Sequence, residues 1–269
     1  MINIGYEYGD YMNLGLQDKC VLITGACQGI GLSTAEEFLK EGAHVCITGR
    51  NELKLQKAES YLSECYPANQ IISFCGDATQ KGDIKKLFQI IKSEWGRLDV
   101  IIPNIGSGKP LDSNPLSADE WTRLFETNLF GGIRLIEAFQ GLLKQYEGNI
   151  IMISSIVSRQ VFGTSYAYAA SKNSVVTLVK YLAKDLAKDK VRVNCVLPGN
   201  VLFDGGRWEE IVHEKGQAAL DDINAIVPMQ RFGKPEEIAA GIVFLASSRA
   251  SFITGSLLTI DGGQTSIIG

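Results

Sequence analysis

Seven short apolar runs alternate with helix-like stretches along nearly the whole chain. The runs lie at 19–24, 44–48, 71–75, 98–103, 149–154, 191–197 and 256–261. In the first intervening stretch, 29–41, apolar residues recur at helical spacing at Ile30, Ala35, Phe38 and Leu39. Further helices are expected at 51–65, 83–95, 117–143, 165–187 and 235–247, with another near 208–219. Apolar runs that do not alternate with polar residues suit strands covered on both faces, and a strand-helix rhythm joins such strands in parallel. The expected fold is therefore α/β, a doubly wound sheet of seven parallel strands with helices on both faces. Ser117 followed by Glu120 reads as a capping box, and Pro235 suits the first turn of the last helix. The charged run 184–190 reads as a solvated helix end. No Pro/Ser-rich linker or charge block divides the chain, so 12–269 is expected to be one domain. Residues 1–11 show no clear period and read as an N-terminal extension, with Met12 a second candidate start.

The 269 residues are 45% hydrophobic and 21% charged, ordinary values for a soluble globular chain. A net charge of -4 gives no electrostatic footprint for nucleic acid. No apolar run approaches the ~18 residues of a membrane span. Glu7 and Asp10 stand where a secretory leader carries basic residues, so none is expected. The six cysteines are scattered without C-x-x-C spacing, which fits reduced thiols in the cytoplasm. Only His44 and His213 are present, and no set of His, Cys and carboxylates has metal spacing, so no metal is expected.

The first strand runs into T-G-A-C-Q-G-I-G, Thr24 to Gly31. A helix N-terminus offers unpaired N–H groups and positive partial charge, and glycines let the backbone turn and approach a phosphate. The spacing is G-x-x-x-G-x-G rather than the G-x-G-x-x-G of the general dinucleotide fingerprint.

Far downstream, Tyr168 and Lys172 are four apart in a helical segment, so they share a face. A free phenol has a pKa of roughly 10. A nearby ammonium favours phenolate and lowers that value, which lets the phenol exchange a proton with an alcohol or carbonyl oxygen. Ser155, at the end of the fifth apolar run, can hydrogen-bond the same oxygen.

Taken together these motifs resemble the short-chain dehydrogenase/reductase family, and the resemblance runs from about Leu14 to the C-terminus. T-G-x-x-x-G-I-G matches Thr24 to Gly31. Ser followed thirteen residues on by Y-x-x-x-K matches Ser155, Tyr168 and Lys172. The family's helix asparagine matches Asn128 in E-T-N-L-F-G, and its P-G turn matches Pro198 and Gly199. The C-terminal F-L-A-S, F-I-T-G and D-G-G also resemble the family, most closely its 3-oxoacyl-carrier-protein-reductase-like branch. The resemblance implies a Rossmann-type sheet and an enzyme that interconverts a ketone and a secondary alcohol. It gives Tyr168 the proton, Ser155 the substrate oxygen, Lys172 the Tyr168 pKa and the nicotinamide ribose, and Asn128 a water. Thr24, Gly25, Gln28, Gly29, Ile30 and Gly31, with Asn104, Gly106, Pro198, Gly199 and Val201, are implied cofactor contacts. So are Tyr168 and Lys172, and Asp77 with Ala78 beside the adenine. Relatives commonly form homotetramers through the helices at 117–143 and 165–187.

Cofactor choice turns on T-G-R-N at the end of the second strand. An NAD enzyme places Asp or Glu there for the ribose hydroxyls. Here Gly49 takes that place, and Arg50, with Asn51, suits a 2′-phosphate by forked, charged contacts. NADP is therefore favoured. Alternatives are an NAD-linked alcohol, sugar or steroid dehydrogenase and a catalytically silent dinucleotide-binding regulator. Three residues depart from the family pattern. Pro103 and Ile105 alter N-N-A-G, the latter adding bulk beside the cofactor cleft, and Phe203 replaces a threonine near the nicotinamide amide. The stretch 199–229 is expected to be an irregular substrate lid, with V-L-F-D-G-G-R-W carrying hinge glycines and aromatics.

Overall fold

The computed structural model describes residues 13–109, 111 and 114–267. The extension at 1–11 and Met12 lie outside them. Seven strands form one parallel sheet: β1 (Cys20–Ile23), β2 (His44–Gly49), β3 (Ile71–Cys75), β4 (Val100–Ile102), β5 (Asn149–Ile153), β6 (Arg192–Pro198) and β7 (Leu257–Ile260). Their order is β3-β2-β1-β4-β5-β6-β7. The chain winds outward from β1 to β3, then returns to the other side of β1 with β4. That reversal opens a crevice at the carboxyl ends of β1 and β4, the place where such sheets bind ligands.

The covering helices are α1 (Gly29–Lys40), α2 (Glu52–Cys65), α3 (Lys81–Glu94), α4 (Ala118–Phe125), α5 (Gly131–Gln145), α6 (Tyr166–Leu186), α7 (Arg207–Lys215), α8 (Gln217–Ile226) and α9 (Pro235–Ala246). The period-2 geometry of a strand sends successive side chains to opposite layers. In β1, Val21 and Ile23 pack under α1, α2 and α9, while Leu22 packs with α3, α5 and α6. Phe38 and Phe139 are the largest fully buried side chains, one in each layer. The uninterrupted apolar runs thus have their physical reason: the central strands are buried on both faces, and only the edge strands β3 and β7 are partly exposed.

Three local expectations are corrected. The helix expected at 117–143 is interrupted by a π turn over Glu126–Phe130, where the Gly131 N–H reaches back five residues to the Glu126 carbonyl. One residue is thereby inserted without breaking the apolar pattern, so spacing alone does not reveal it. Ser117 makes no side-chain cap. The Glu120 carboxylate instead accepts from Arg123 (2.7 and 2.8 Å) and the Leu111 N–H (3.3 Å). The stretch 199–229 is largely helical: α7 and α8 are separated by Gly216, whose φ of 56° lies in the left-handed region. As expected, 184–190 closes α6 with exposed charges, and Lys190 turns the chain at φ 57°.

Candidate active site

The carboxyl ends of β1, β4, β5 and β6 converge on one crevice. From β1 the chain enters the glycine loop, where Gly25 and Gly29 have φ of 63° and 57°. Gly25 and Gly31 are needed for close approach: a Cβ on Gly25 would lie 2.8 Å from the Asn104 carbonyl, and one on Gly31 2.6 Å from Asn104 Nδ2. Asn104 stitches β4 to the loop by donating its N–H to Thr24 Oγ1 (3.0 Å) and its amide to the Gly25 carbonyl (3.2 Å). Gln28 precedes α1 without a side-chain cap, so the first-turn N–H groups have no side-chain acceptor. An uncapped helix N-terminus behind left-handed glycines fits the pyrophosphate of a dinucleotide. Ile30 is half-buried against the core.

Beyond β2, Arg50 is 72% exposed, with its guanidinium 3.8 Å from Asp77 Oδ2. Asp77 also accepts the Thr79 N–H (2.9 Å) and hydroxyl (2.8 Å). Asn51 caps α2 by accepting the Lys54 N–H at 2.9 Å. Lys54 Nζ donates to Gln28 Oε1 (2.9 Å), and Gln28 Nε2 donates to the Gly205 carbonyl (2.9 Å). The sequence reading missed Lys54, although it lies one turn beyond Arg50. Ala78 is half-buried against the α3 layer.

Asn128 sits in the π turn and is buried. Its Oδ1 accepts the Ser107 N–H (2.8 Å), and its Nδ2 donates to Ser171 Oγ (2.9 Å) and the Ser107 carbonyl (3.2 Å). Ser171 in turn donates to the Tyr168 carbonyl at 2.8 Å. Ser107 and Ser171 were missed because backbone and bridging contacts carry no motif. Lys172 is buried, and its Nζ donates to the Ile153 carbonyl at 2.9 Å. Gly106 lies directly above: a Cβ there would be 3.0 Å from Lys172 Nζ and 3.4 Å from Asn128 Oδ1.

Ser155 follows β5, buried, and Tyr168 stands in the first turn of α6, which Ser165 caps. The Ser155 hydroxyl accepts the Val157 N–H at 3.4 Å and lies close to the Tyr168 phenol. Burial pushes that phenol above its ordinary value, and the nearby Ser155 hydroxyl pulls it back in part. The expected lowering by Lys172 is not what this geometry gives. The ammonium is engaged by the Ile153 carbonyl, and burial pushes its own pKa down to about 8. Asn128 and Lys172 nonetheless both border Gly106, and Ser171 links Asn128 to the Tyr168 carbonyl.

Two departures from the family pattern have clear consequences here. Ile105 turns onto α5, where a Cβ on Gly131 would meet its Cδ1 at 3.4 Å, so its bulk is taken up by Gly131. Phe203 lays its ring on the glycine loop: a Cβ on Gly29 would be 2.5 Å from it. Pro198 ends β6, and Gly199 packs on Asp261, where a Cβ would come within 2.7 Å. The Val201 side chain is buried in the core, so only its backbone is left to face the crevice. A Cβ on Gly108 would lie 3.3 Å from Tyr168 Cζ, so the loop after β4 lies against the phenol ring. Lys109 beside it reaches Glu210 at 3.0 Å and ties that loop to α7.

Residues 25–265 match the family described as Enoyl-(Acyl carrier protein) reductase. The chain is 33% identical to the 3-oxoacyl-[acyl-carrier-protein] reductase of Thermotoga maritima, covering 92% of this chain and 98% of that one. It is 34% identical to L-fucose dehydrogenase of Mus musculus, covering 91% and 88%, and 29% identical to a 3alpha-hydroxysteroid dehydrogenase of Mediterraneibacter gnavus, covering 95% and 100%. Among solved structures, L-sorbose reductase of Gluconobacter frateurii complexed with NADPH and L-sorbose superposes with a TM-score of 0.87 at 28% identity, covering 95% and 100%. The NADPH-dependent reductase YwfH of bacilysin biosynthesis gives 0.87 at 30% identity, covering 94% and 100%. A seven-stranded parallel sheet, a glycine cradle at its switch point and these matches along the chain lead to one conclusion: this protein belongs to the short-chain dehydrogenase/reductase family of NAD(P)-dependent oxidoreductases.

Proposed function

We propose that the protein is an NADP-dependent oxidoreductase that interconverts a ketone and a secondary alcohol, with Tyr168 as the acid/base. The observation that carries this reading is the Tyr168 phenol beside Ser155, with the loop after β4 against its ring, in the same crevice as the glycine cradle. A nicotinamide held in this crevice would supply or accept the hydride. Tyr168 gives its proton to the oxygen that becomes the alcohol, and takes it back in the reverse direction. Ser155 donates a hydrogen bond to that oxygen while negative charge builds on it. Lys172, with a pKa brought to about 8, is poised to exchange a proton near neutral pH and so to restore the phenol. Asn128 holds the loop above Lys172 and fixes the geometry.

NADP is favoured by Gly49 where a carboxylate would bind ribose, by Arg50 and Lys54 nearby, and by the NADPH held in a similar structure. The substrate is a small carbonyl compound or alcohol. Free thiols at all six cysteines suit the cytoplasm.

The test is a fluorescence titration with NADPH and NADH, followed by turnover of a ketone panel. Tyr168→Phe is expected to bind NADPH as before and lose about 10³-fold in kcat; surviving turnover would end the Tyr168 mechanism. Arg50→Ala is expected to weaken NADPH roughly 10- to 100-fold and leave NADH unchanged, the worth of a charged hydrogen bond. Unchanged NADPH affinity would point to the NAD-linked alternative, and no binding of either nucleotide to the silent regulator.

A further inference from the structure

Gly49 ends β2 at the place where a carboxylate would meet the ribose hydroxyls, and its neighbourhood accounts for the glycine. A Cβ on Gly49 would overlap Cys27 Sγ, far short of van der Waals contact distance, while Cys27 Cβ would stand at an ordinary 3.8 Å. The sulfur alone fills the space. Cys27 belongs to the glycine loop, and its half-buried side chain packs on the core beneath α1. Position 49 faces the α2 layer, since Leu55 Cδ1 would lie 3.9 Å from the same Cβ. It is paired across the sheet with Cys75. Burial pushes the thiol above its ordinary value against the opposing pull of the Lys54 ammonium, so it sits there as an uncharged plug. The cations beside it are Arg50, which faces Asp77 at 3.8 Å, and Lys54, held in place by Gln28.

We propose that Cys27 is a specificity-determining residue for the dinucleotide: its sulfur holds position 49 to glycine and thereby bars a ribose-binding carboxylate. Recognition then falls to Arg50 and to Lys54, which Gln28 aims toward the same pocket. Such a pocket takes a 2′-phosphate in preference to a free hydroxyl pair. Cys27 acts through the space it occupies rather than by touching the reacting atoms. The inference rests on the dinucleotide reading above, and its test separates the two.

NADPH and NADH affinities are measured by nucleotide fluorescence for wild type, Cys27→Ala, Gly49→Asp and the double variant. Gly49→Asp alone is expected to lose NADPH binding at least tenfold without gaining NADH. Adding Cys27→Ala is expected to raise NADH affinity at least fivefold over Gly49→Asp, a coupling that a simple loss of stability would not produce. If Gly49→Asp by itself takes NADH as well as the double variant does, the plug is overturned. If wild type binds neither nucleotide, the dinucleotide reading fails first. A second measurement covers a variant that does not fold: Gly49→Ala is expected to lower Tm, and Cys27→Ala to restore it. A Gly49→Ala protein as stable as wild type overturns the proposal.

Discussion

Lys172 shows how one buried side chain reports its surroundings. Its pKa falls from 10.5 to about 8 because burial penalises the ammonium. Between these values the unfolded chain keeps the proton while the folded chain has lost it. For this group, stability therefore rises with pH across that window, and the penalty is greatest below pH 8. Lys172→Met is expected to be more stable than wild type at pH 7 by up to about 3 kcal/mol, with the difference closing toward pH 10.5. Urea titrations at both pH values check it, and a pH-independent difference would contradict the assignment. The same variant is expected to lose turnover, since stability and function oppose each other at this site. Tyr168 and Lys172 were legible as a pair from their spacing; the direction in which burial moves each was not, because it depends on what covers them.

At the scale of elements, the crevice is formed by segments that reach toward one another. The segment before α7 lays Phe203 on Gly29 and bonds Gly205 to Gln28. The loop after β4 lies against Tyr168 and is latched to α7 through Lys109 and Glu210. A ring resting on the phosphate cradle must be displaced before a pyrophosphate settles there, and that displacement is charged against affinity. Phe203→Thr is expected to tighten NADPH binding by about fivefold and to speed association. Stopped-flow fluorescence measures both, and weaker binding would mean that the ring supports the nucleotide. The π turn is the second element-scale feature. By inserting one residue into a long helix it places Asn128 against Ser107 and Ser171.

For the whole molecule, the centre of the sheet is covered on both faces, yet large apolar side chains remain outside. Tyr166 and Tyr181 on α6 are 59% and 68% exposed, Val161 is 97% exposed, and Phe252 is fully exposed. Exposed apolar side chains on a long helix would suit an association surface. The protein is expected to sediment at four times the chain mass, and Tyr181→Glu to shift it toward smaller species. A wild-type monomer in analytical ultracentrifugation would remove the tetramer from the reading. No described helix is long and apolar enough to cross a membrane, and no group of metal-ligating side chains is found among the described residues.

What the sequence determined by itself is whatever depends on local chemistry and period. Unbroken apolar runs required a sheet buried on both faces. The glycine spacing required a tight turn before α1, and Ser155, Tyr168 and Lys172 carried their chemistry in their identities. The tertiary structure decided what depends on residues distant in the chain. Phe203 meets Gly29 across 174 positions, Cys27 fills the space at Gly49, and the Ile153 carbonyl takes the Lys172 ammonium. Excluded volume and desolvation are properties of packed surroundings, and no window of sequence contains them.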